Sequence, residues 1–280
     1  MAAGEGTRIE GLKAEAGDGT VAKALAVLDQ VAALGRPARF SELLAQSAFP
    51  KATLFRFLRT LTRQGLLAQD PDSGSYSLGM RLVRLAHAAW LQSSLAPHAR
   101  AHIDALSAEV GETVHLAQLD GAHVLYVDKR NARVPIEMFA QAGKVGPAHC
   151  TGVGKAMLAF LDPAELDRVL PQLSYHGYTP NTLTTPEGLR AELSATRARG
   201  HAFDLEEHEP GIICIAAPIL SSAGRVMGAL SVTSSTLRTT LDALEELAVT
   251  VKETASKIAE DAESWRFPDL NIQRGKRGVT

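Results

Sequence analysis

The sequence predicts an α+β protein: a small N-terminal winged helix-turn-helix, then a larger domain with a mostly antiparallel sheet flanked by helices. Three observations support this prediction. Residues 21–64 carry three short amphipathic helical patterns. The segment DPDSG at 70–74 lies between two short apolar runs, as in a hairpin turn. From Gly111 onward, strand patterns and helical patterns alternate.

Composition narrows the class of protein. Hydrophobic residues make up 45% of the chain and charged residues 21%, which is typical of a globular domain. The apolar runs are far shorter than the roughly 18 residues of a membrane span. The N-terminus also lacks an apolar signal core. We therefore expect a cytoplasmic protein that does not contact a membrane. Cys150 and Cys214 show no C-x-x-C spacing, so neither a zinc site nor a disulfide framework is indicated.

Charge is distributed unevenly along the chain. Residues 20–90 contain nine Lys or Arg and four Asp or Glu, a balance of +5, whereas the whole chain carries −2. The remaining residues therefore carry −7. This contrast indicates that the N-terminal module, rather than the acidic body, contacts a polyanion such as double-stranded DNA.

The first two helices follow from their apolar spacing and their end residues. Residues 21–32 form an amphipathic pattern that Gly35-Arg36-Pro37 ends. Ser41 is predicted to be the N-cap of the second helix, with Leu43 and Leu44 pointing inward.

The third helix is the candidate recognition helix. If residues 51–64 are helical, one face buries Leu54, Phe57, Leu58 and Leu61. The opposite face is small at its N-terminal end, basic further along, and free of acids. Such a helix can enter a major groove. The predicted DNA contacts are Lys51, Ala52, Thr53, Arg56, Arg59 and Thr60. An ordinary solvated helix has a similar pattern, and the hairpin that follows makes the DNA-binding interpretation more specific.

The body is predicted from alternating patterns. Residues 80–90 form a helix too apolar to stand alone in water, which we expect to pair with another subunit or with the body. A second helix runs over 97–110. Predicted strands are 114–120, 123–129, 134–140, 201–206, 212–219 and 225–235, and predicted helices are 151–161, 163–170 and 186–199. An apolar stripe from Leu237 to Ala262 fits a coiled coil, but we favour a helix that lies across the sheet.

Several long segments resemble IclR-family transcriptional regulators. They are VAKALAVLDQVA (21–32), PKATLFRFLRTL (50–61), PAHCTGVGKAMLAFL (147–161), RARGHAFDLEEHEPGIICIAAPI (197–219) and GRVMGALSVTS (224–234). The resemblance covers residues 21 to about 263. It implies a GAF-like effector-binding domain, a homodimer or homotetramer, and a pseudo-palindromic operator. The expected organisation is a disordered tail (1–18), a winged helix-turn-helix (19–79), linker helices (80–110), an effector-binding domain (111–264) and a flexible tail (265–280).

The predicted effector site begins at the helix near residue 151. Thr151 is a plausible N-cap, and Gly152, Val153 and Gly154 supply free backbone N–H groups at the positive end of the helix dipole. This arrangement suits a carboxylate, and the glycines allow a ligand to approach the backbone. The glycines alternatively permit only a tight turn into the helix. Gly154-Lys155 is not a phosphate-binding loop, because His149 and Ala156 break that pattern.

The resemblance adds three residues to this pocket: Asp204 would accept a hydrogen bond from the ligand or orient the site, and Cys214 and Ser231 would contact the ligand. Met138, on the third predicted strand, is a candidate apolar wall of the pocket and alternatively a core residue. Cys214 could instead be a buried apolar residue and Ser231 an ordinary strand residue. The acidic cluster at 204–209 resembles a metal site, but consecutive strand residues point to opposite faces, so we predict neither a metal nor a cofactor.

These observations predict a DNA-binding transcription regulator, a repressor rather than an enzyme, whose operator affinity responds to a small organic acid. Residues 176–189 and 204–211 resemble the branch of the family that senses 2-keto-3-deoxy sugar acids. Two other classes remain open. The body could be a hydrolase or isomerase that uses Asp204, Glu207 and His208. It could also serve only oligomerisation in a constitutive repressor.

Overall fold

The computed structural model describes residues 19–263, without the side chains of residues 91–93. The predicted tails, 1–18 and 265–280, lie outside the described residues. The chain divides into two compact units between Gln92 and Ser93, and each is described by itself. In the described part of the chain, no helix combines the length and the apolar character needed to cross a membrane.

The first unit is a winged helix-turn-helix followed by one more helix. Its elements are α1 (Thr20–Ala33), α2 (Phe40–Gln46), α3 (Lys51–Arg63), β1 (Leu67–Gln69), β2 (Tyr76–Leu78) and α4 (Met80–Ser93). The two strands form an antiparallel hairpin, and Ala38 adds an isolated bridge to Tyr76. The predicted fold of this unit is confirmed.

The core of this unit is built from one stripe of each helix. Val27, Leu28 and Val31 of α1 pack with Leu43 of α2 and with the buried face of α3. Gly35 and Gly65 follow α1 and α3 in the left-handed conformation, with φ of 62° and 70°. A residue with a side chain adopts this conformation at a cost, which explains why glycine ends both helices.

The start of α2 differs from the prediction. The helix begins at Phe40, and Arg39 is its N-cap, so the prediction that Ser41 is the cap is wrong. The Glu42 carboxylate accepts a hydrogen bond from the Arg39 backbone N–H at 2.9 Å and pairs with Arg36 at 2.7 Å. An acidic side chain in the first turn, rather than a serine hydroxyl, therefore satisfies the free N–H at this end.

The turn of the wing is closed by Asp70. Its Oδ1 accepts hydrogen bonds from the backbone N–H groups of Asp72 and Ser73, at 3.1 and 2.7 Å, and from the Ser73 hydroxyl at 2.8 Å. Gly74 follows with a φ of 67°. This is the local hydrogen bonding that makes an Asp and Gly pair favourable in a hairpin turn.

The second unit contains one six-stranded antiparallel sheet with helices around it. Its strands are β3 (Thr113–Asp120), β4 (His123–Arg130), β5 (Val145–Pro147), β6 (Ala202–Leu205), β7 (Ile212–Leu220) and β8 (Val226–Ser235). The helices are α5 (Ala96–Val110), α6 (Gly152–Phe160), α7 (Pro163–Val169), α8 (Pro186–Arg199), α9 (Leu241–Glu245) and α10 (Ala248–Asp261). The strand order is β5-β4-β3-β8-β7-β6. The predicted α+β class is confirmed.

Both faces of the central strands are buried. Neighbouring strand residues point to opposite faces, and Ile215 and Ala216 are both fully buried. On one face α6 packs on β7 and β8 and is itself in contact with α8. On the other face α10 packs on β7, and α5 packs on β3. These two apolar layers fix the sheet between helices and hold the first turn of α6 against β6 and β7.

The predicted strand at 134–140 is wrong. This segment is irregular, and β5 at residues 145–147 is the strand that pairs with β4. Side chains satisfy backbone groups of the segment: Glu209 accepts from the Phe139 N–H, and Lys129 Nζ donates to the Ala140 carbonyl at 3.0 Å. Because these groups are bonded, the segment does not need a strand partner.

The apolar stripe near the C-terminus forms two helices rather than one. The helix α9 ends at Glu245 and α10 begins at Ala248, while Leu237 precedes both and is 94% exposed. Leu237 therefore does not belong to the stripe. For α10 the interpretation as a helix that lies on the sheet is confirmed, since it packs on β7 with Val251 and Ile258 fully buried.

Candidate functional site

The outward face of α3 is as the sequence predicts. Its four predicted core residues are buried. Of the six predicted DNA contacts, Thr53 is half-buried, and Lys51, Ala52, Arg56, Arg59 and Thr60 are exposed. Among the described residues of this unit, the ion pair joins Arg36 to Glu42. Lys51, Arg56 and Arg59 therefore have no acidic partner within it. The face is therefore a basic helical surface without competing carboxylates, and it can contact phosphates and base edges.

Two aromatic side chains on α3 shape this surface. Phe55 is half exposed, and its ring packs edge-on against Phe40 with centroids 6.1 Å apart. The Arg56 guanidinium carbon lies 5.5 Å from the centroid of the buried Phe57 ring. This contact restricts the Arg56 side chain and orders it on the outward face.

The second unit holds a small pocket at the N-terminal end of α6. Seven of the eight predicted effector residues line it: Met138, Thr151, Gly152, Val153, Asp204, Cys214 and Ser231. Its volume is about 30 Å³, which holds one or two water molecules. A ligand of several heavy atoms therefore needs lining side chains to move. A wider groove of about 890 Å³ near the β3–β4 and β7–β8 turns contains none of the predicted residues.

Strand pairing brings the pocket residues together. Asp204 on β6 pairs with Cys214 on β7, and Cys214 pairs with Thr233 on β8. Ser231 lies two residues before Thr233 and so faces the same side of the sheet. Three strands that are distant in sequence thus place their side chains against the first turn of α6.

No side chain caps the backbone N–H groups in the first turn of α6. Thr151 is at the N-cap position, but its hydroxyl donates to the Pro147 carbonyl at 2.8 Å instead of accepting from the helix. The first three N–H groups of a helix have no partner within the helix. Those of residues 152–154 are therefore donors at the positive end of the α6 dipole.

The two glycines of this turn are required by packing. A Cβ on Gly152 would lie 2.4 Å from the Cys214 sulfur. A Cβ on Gly154 would lie 2.3 Å from the Ala148 carbonyl oxygen. Gly154 is also the one predicted effector residue that does not line the pocket, because it faces the Ala148 backbone. The tight-turn interpretation therefore accounts for Gly154, while Gly152 both packs closely and lines the pocket.

Asp204 is the buried acid of the pocket. It is 7% exposed, and its Oδ1 accepts the Glu207 N–H at 2.8 Å. Burial, followed by the nearby Glu207 charge, raises the pKa of Asp204 to about 7. The carboxyl group is thus protonated in a substantial fraction of molecules at neutral pH and can donate a hydrogen bond as well as accept one.

The cysteine of the pocket is not a nucleophile. Burial raises the pKa of the Cys214 thiol well above its usual range, and the nearby Asp204 charge acts in the same direction. Thiolate is the reactive form of cysteine, so Cys214 acts as a small polarisable wall. Among residues 19–263, no group of three or more His, Cys, Asp and Glu side chains is arranged to hold a metal ion.

The pocket lining also includes His115, Tyr126, Ala140, His208, Glu209, Ile212 and Thr233. The sequence drew attention to His208 and Glu209 only as members of the acidic cluster at 204–209, and the other five were not predicted. His115 and Gln118 are the two polar residues of the otherwise apolar run VHLAQL in β3, and this contrast is the sequence feature that could have drawn attention to His115. Tyr126, Ala140, Ile212 and Thr233 gave no comparable indication.

Lys155 and Glu207 form a buried ion pair behind the pocket, which the sequence reasoning also missed. Lys155 Nζ donates to Glu207 Oε1, and Glu192 Oε1 lies 3.9 Å from the same nitrogen. Burial raises the pKa of Glu207, while the Lys155 charge acts in the opposite direction. A lysine within the apolar helix GVGKAMLAF was the available sequence feature.

The segment that follows α7 is bonded to the loop after β6. The Thr182 hydroxyl donates to the Glu207 carbonyl at 2.6 Å, and the Thr179 hydroxyl donates to the Glu206 carbonyl at 2.7 Å. Asn181 Nδ2 donates to the Leu205 carbonyl at 2.9 Å. The two segments that resemble the sugar-acid branch are therefore in direct contact, and together they cover the Lys155–Glu207 pair.

Comparison with known protein families and structures matches both units. The family described as the IclR helix-turn-helix domain matches residues 20–71, and that described as the bacterial transcriptional regulator IclR C-terminal matches residues 87–260. The HTH-type transcriptional regulator XynR of Escherichia coli K12 is 33% identical over 219 residues, covering 78% of this chain and 87% of the relative.

A second relative and a solved structure extend this similarity. The HTH-type transcriptional regulator KdgR of Escherichia coli K12 is 32% identical over 242 residues, 86% of this chain and 92% of that protein. The crystal structure of an IclR homolog complexed with 4-hydroxybenzoate from Microbacterium hydrocarbonoxydans is 26% identical, with a TM-score of 0.75. The match covers 88% of this chain and all of that one.

Proposed function

The chain belongs to the IclR family of bacterial transcriptional regulators, and we propose that it is a repressor whose operator affinity is set by a small organic acid. In this proposal α3 binds double-stranded DNA, and the pocket at α6 binds the effector. The chain is a regulator and not an enzyme, in line with the named relatives.

The DNA-binding part of the proposal rests on the exposed face of α3. Ala52 and Thr53 are small and lie at its N-terminal end, where a recognition helix meets base edges. Arg56 and Arg59 follow one and two turns further along and can bind guanine or phosphate. Lys51 and Thr60 complete the contact surface at its two ends.

The effector part rests on one observation: the N–H donors of the first turn of α6 converge with Asp204, Cys214 and Ser231 in a buried pocket. We assign the effector carboxylate to the helix end, where the dipole and the N–H groups favour an anion. Asp204 and Ser231 bind the rest of the polar groups of the ligand, and Met138 covers its apolar part.

The effector class is the finer step of the proposal. The related structure binds 4-hydroxybenzoate, an aromatic acid, and the relatives include KdgR. Together with the sequence resemblance in 176–189 and 204–211, this favours a small acid that bears oxygen substituents, and within that class a keto-deoxy sugar acid. Such a ligand exceeds the present cavity, so its binding requires an opening of the pocket.

We further propose that the active form is a homodimer or homotetramer in the bacterial cytoplasm. The helix α4 exposes Met80 at 73%, Val83 at 58% and Leu85 at 52%. Exposed apolar side chains on more than one side of a helix are suited to pairing with a second copy. Two recognition helices would then bind the two halves of a pseudo-palindromic operator. The effector would act by favouring one arrangement of the DNA-binding units over another.

The test is a fluorescence-anisotropy titration of the protein on its own upstream DNA, with and without a panel of sugar acids and small keto acids. We expect specific binding, and at least one acid that changes the affinity by the roughly 5-fold to 150-fold typical of allosteric coupling. Specific binding that no acid alters would reject the effector assignment. Binding no tighter than that to unrelated DNA would reject the operator assignment. A reporter gene under the same promoter fixes the direction of control, since a repressor lowers its expression when effector is absent.

The alternative in which the body serves only oligomerisation predicts no ligand response of any kind. Thermal unfolding of the whole chain with the same acids separates the two, because a ligand that binds the folded state raises Tm. The buried pocket at the start of α6 favours the effector-binding interpretation.

A further inference from the structure

His115 occupies the pocket without a role in the proposal above. It is 1% exposed, lies on β3 at the centre of the sheet, and is directly paired with Ser231 on β8. Thr233 faces the same side two residues further along β8. The imidazole therefore lies beside Ser231, which is assigned to effector binding, on one of the two central strands of the sheet.

One side of the imidazole is bonded and the other is not. Nδ1 lies 3.3 Å from the Thr233 hydroxyl, which lies 3.4 Å from the Ser231 hydroxyl. Nε2 is buried and has no hydrogen bond among the described residues. The Ala140 carbonyl lies near the imidazole, but its position relative to Nε2 does not meet the geometry of a hydrogen bond, and it accepts from Lys129 Nζ at 3.0 Å. A buried polar atom without a partner costs free energy unless a ligand or an ordered water satisfies it.

The ring is held in this orientation. Tyr126 packs against it edge-on, with centroids 5.5 Å apart and an angle of 61° between the planes. Burial, followed by the Lys129 charge, lowers the pKa of His115 to about 3, so the imidazole is neutral across the physiological range. A neutral imidazole has one N–H donor and one acceptor nitrogen. It adds hydrogen-bonding capacity to the pocket without adding charge.

We propose that His115 determines effector specificity: Nε2 forms a hydrogen bond with an oxygen substituent of the effector other than its carboxylate. The site then prefers oxo and hydroxy acids to the corresponding unsubstituted acids. This inference rests on the proposed effector site and adds to it the chemical feature that the site selects. The lining of the pocket supports it, because His115 and the first turn of α6 line the same pocket and one ligand can contact both.

Because the Thr233 hydroxyl can either donate to Nδ1 or accept from it, His115 can adopt the tautomer that the ligand oxygen requires. If the Thr233 hydroxyl donates to Nδ1, then Nε2 carries the proton and donates to an oxo oxygen. If Nδ1 donates to Thr233, then Nε2 accepts from a ligand hydroxyl. An acid with hydrogen at that carbon leaves Nε2 unpaired inside the protein, and a site with an unpaired buried group discriminates against such an analogue.

The experiment compares matched acids by calorimetric titration of the full chain: pyruvate with propionate, and 2-oxoglutarate with glutarate. In the wild type we expect the oxo acid of at least one pair to bind roughly 10-fold to 100-fold more tightly than its partner. The variant His115→Phe keeps a ring and removes the hydrogen bond, so the preference should fall to less than about 3-fold. The variant His115→Gln retains polar atoms and should keep part of the preference.

A second histidine provides the matched control. His201 is 3% exposed, also has an unpaired ring nitrogen, and does not line the pocket. His201→Phe should leave the preference for oxo acids unchanged. An undiminished preference in a folded His115→Phe protein would overturn the inference, as would a wild type that binds both members of each pair equally. If no acid, including 2-keto-3-deoxygluconate, binds the wild type, the proposed function itself fails and this inference with it.

Discussion

Lys155 and Glu207 form an ion pair inside the second unit, where their side chains are 2% and 4% exposed. Lys155 lies early in α6, whose first turn faces the pocket. Glu207 lies in the loop after β6, between Asp204 on that strand and Glu209 in the same loop. The pair therefore ties the helix end that we assign to the effector carboxylate to the loop that supplies acidic groups of the pocket.

Replacing Lys155 by Met should destabilise the protein strongly. The substitution leaves the Glu207 carboxylate buried without its cation, and the loss of one partner of a buried pair costs about 3–5 kcal/mol. Protonation of Glu207 relieves this penalty. We therefore expect the loss in the free energy of unfolding to be larger at pH 8 than at pH 5. Urea unfolding at both pH values measures it.

Two further variants check this explanation. Lys257→Met replaces an exposed lysine on α10 and should change stability by less than about 0.5 kcal/mol. The double variant Lys155→Met/Glu207→Leu removes both charges and should recover much of the stability of the wild type. If the double variant is as unstable as Lys155→Met alone, lost packing rather than the unpaired charge is responsible.

On α3, Arg56→Ala should weaken operator binding while both units remain folded. A bidentate contact to a base contributes about 1–3 kcal/mol, so we expect the Kd to rise roughly 5-fold to 150-fold. Fluorescence anisotropy with operator DNA measures this change, and circular dichroism checks the fold. Arg225→Ala, an exposed arginine of the second unit, is the control and should bind as the wild type does. Equal operator affinity in Arg56→Ala would remove Arg56 from the contact surface.

The elements that depend on local pattern could be predicted from the sequence. The stripe of α3, the turn at Asp70 and the helix starting near Thr151 are each defined by residues within a few positions of one another. The spacing of these residues along the chain is therefore enough to predict each element. The long strands β7 and β8 were equally clear, because continuous apolar and β-branched runs favour buried strands.

Features that depend on distant partners could not be predicted in this way. Residues 134–140 have a strand-like composition, but Glu209, about 70 positions later, bonds the Phe139 N–H and removes the need for a strand partner. Lys155 and Glu207 are 52 positions apart, and neither local sequence shows the pair. Asp204, Cys214 and Ser231 were placed in one pocket through the family resemblance, since spacing alone gives three unrelated strand residues.

Asp204 should make the stability of the protein depend on pH. Its pKa is about 7 in the folded state against an ordinary value of 3.8, so the folded state holds the proton more tightly than the unfolded state. The resulting stabilisation is complete below about pH 3.8 and is lost as pH rises through about 7. Asp204→Asn carries no charge and keeps an acceptor for the Glu207 N–H. This variant should be more stable than the wild type at pH 8, by on the order of a few kcal/mol.

The comparison requires unfolding curves at pH 5 and pH 8 for both proteins. The difference in the free energy of unfolding between Asp204→Asn and the wild type should grow from pH 5 to pH 8. Asp120→Asn, which replaces an exposed carboxylate, should show the same difference at both pH values. A stability difference for Asp204→Asn that does not vary with pH would mean that Asp204 is not held protonated by its surroundings.

Gly152 and Cys214 should be energetically coupled, because a methyl group on the glycine occupies the space of the sulfur. The Cβ of Gly152→Ala would lie 2.4 Å from Cys214 Sγ, while its next neighbours, at 3.4 and 3.5 Å, are at tolerable distances. We expect Gly152→Ala alone to cost about 1–3 kcal/mol of stability. Cys214→Ala removes the sulfur, so the double variant should be more stable than the sum of the two single effects predicts.

The neighbouring glycine is the matched control for this cycle. Gly154→Ala would place its Cβ 2.3 Å from the Ala148 carbonyl oxygen and 2.6 Å from the Ala148 Cα, and no side-chain substitution relieves these contacts. It should therefore be destabilising in both the wild type and the Cys214→Ala background, with additive effects. Denaturant unfolding is measured for six proteins: the wild type, the three single variants and the two double variants with Cys214→Ala. It distinguishes coupled effects from additive ones. Additive effects for Gly152 as well would show that the first turn of α6 can move away from β7, and the close approach that shapes the pocket would then not be a fixed feature of the fold.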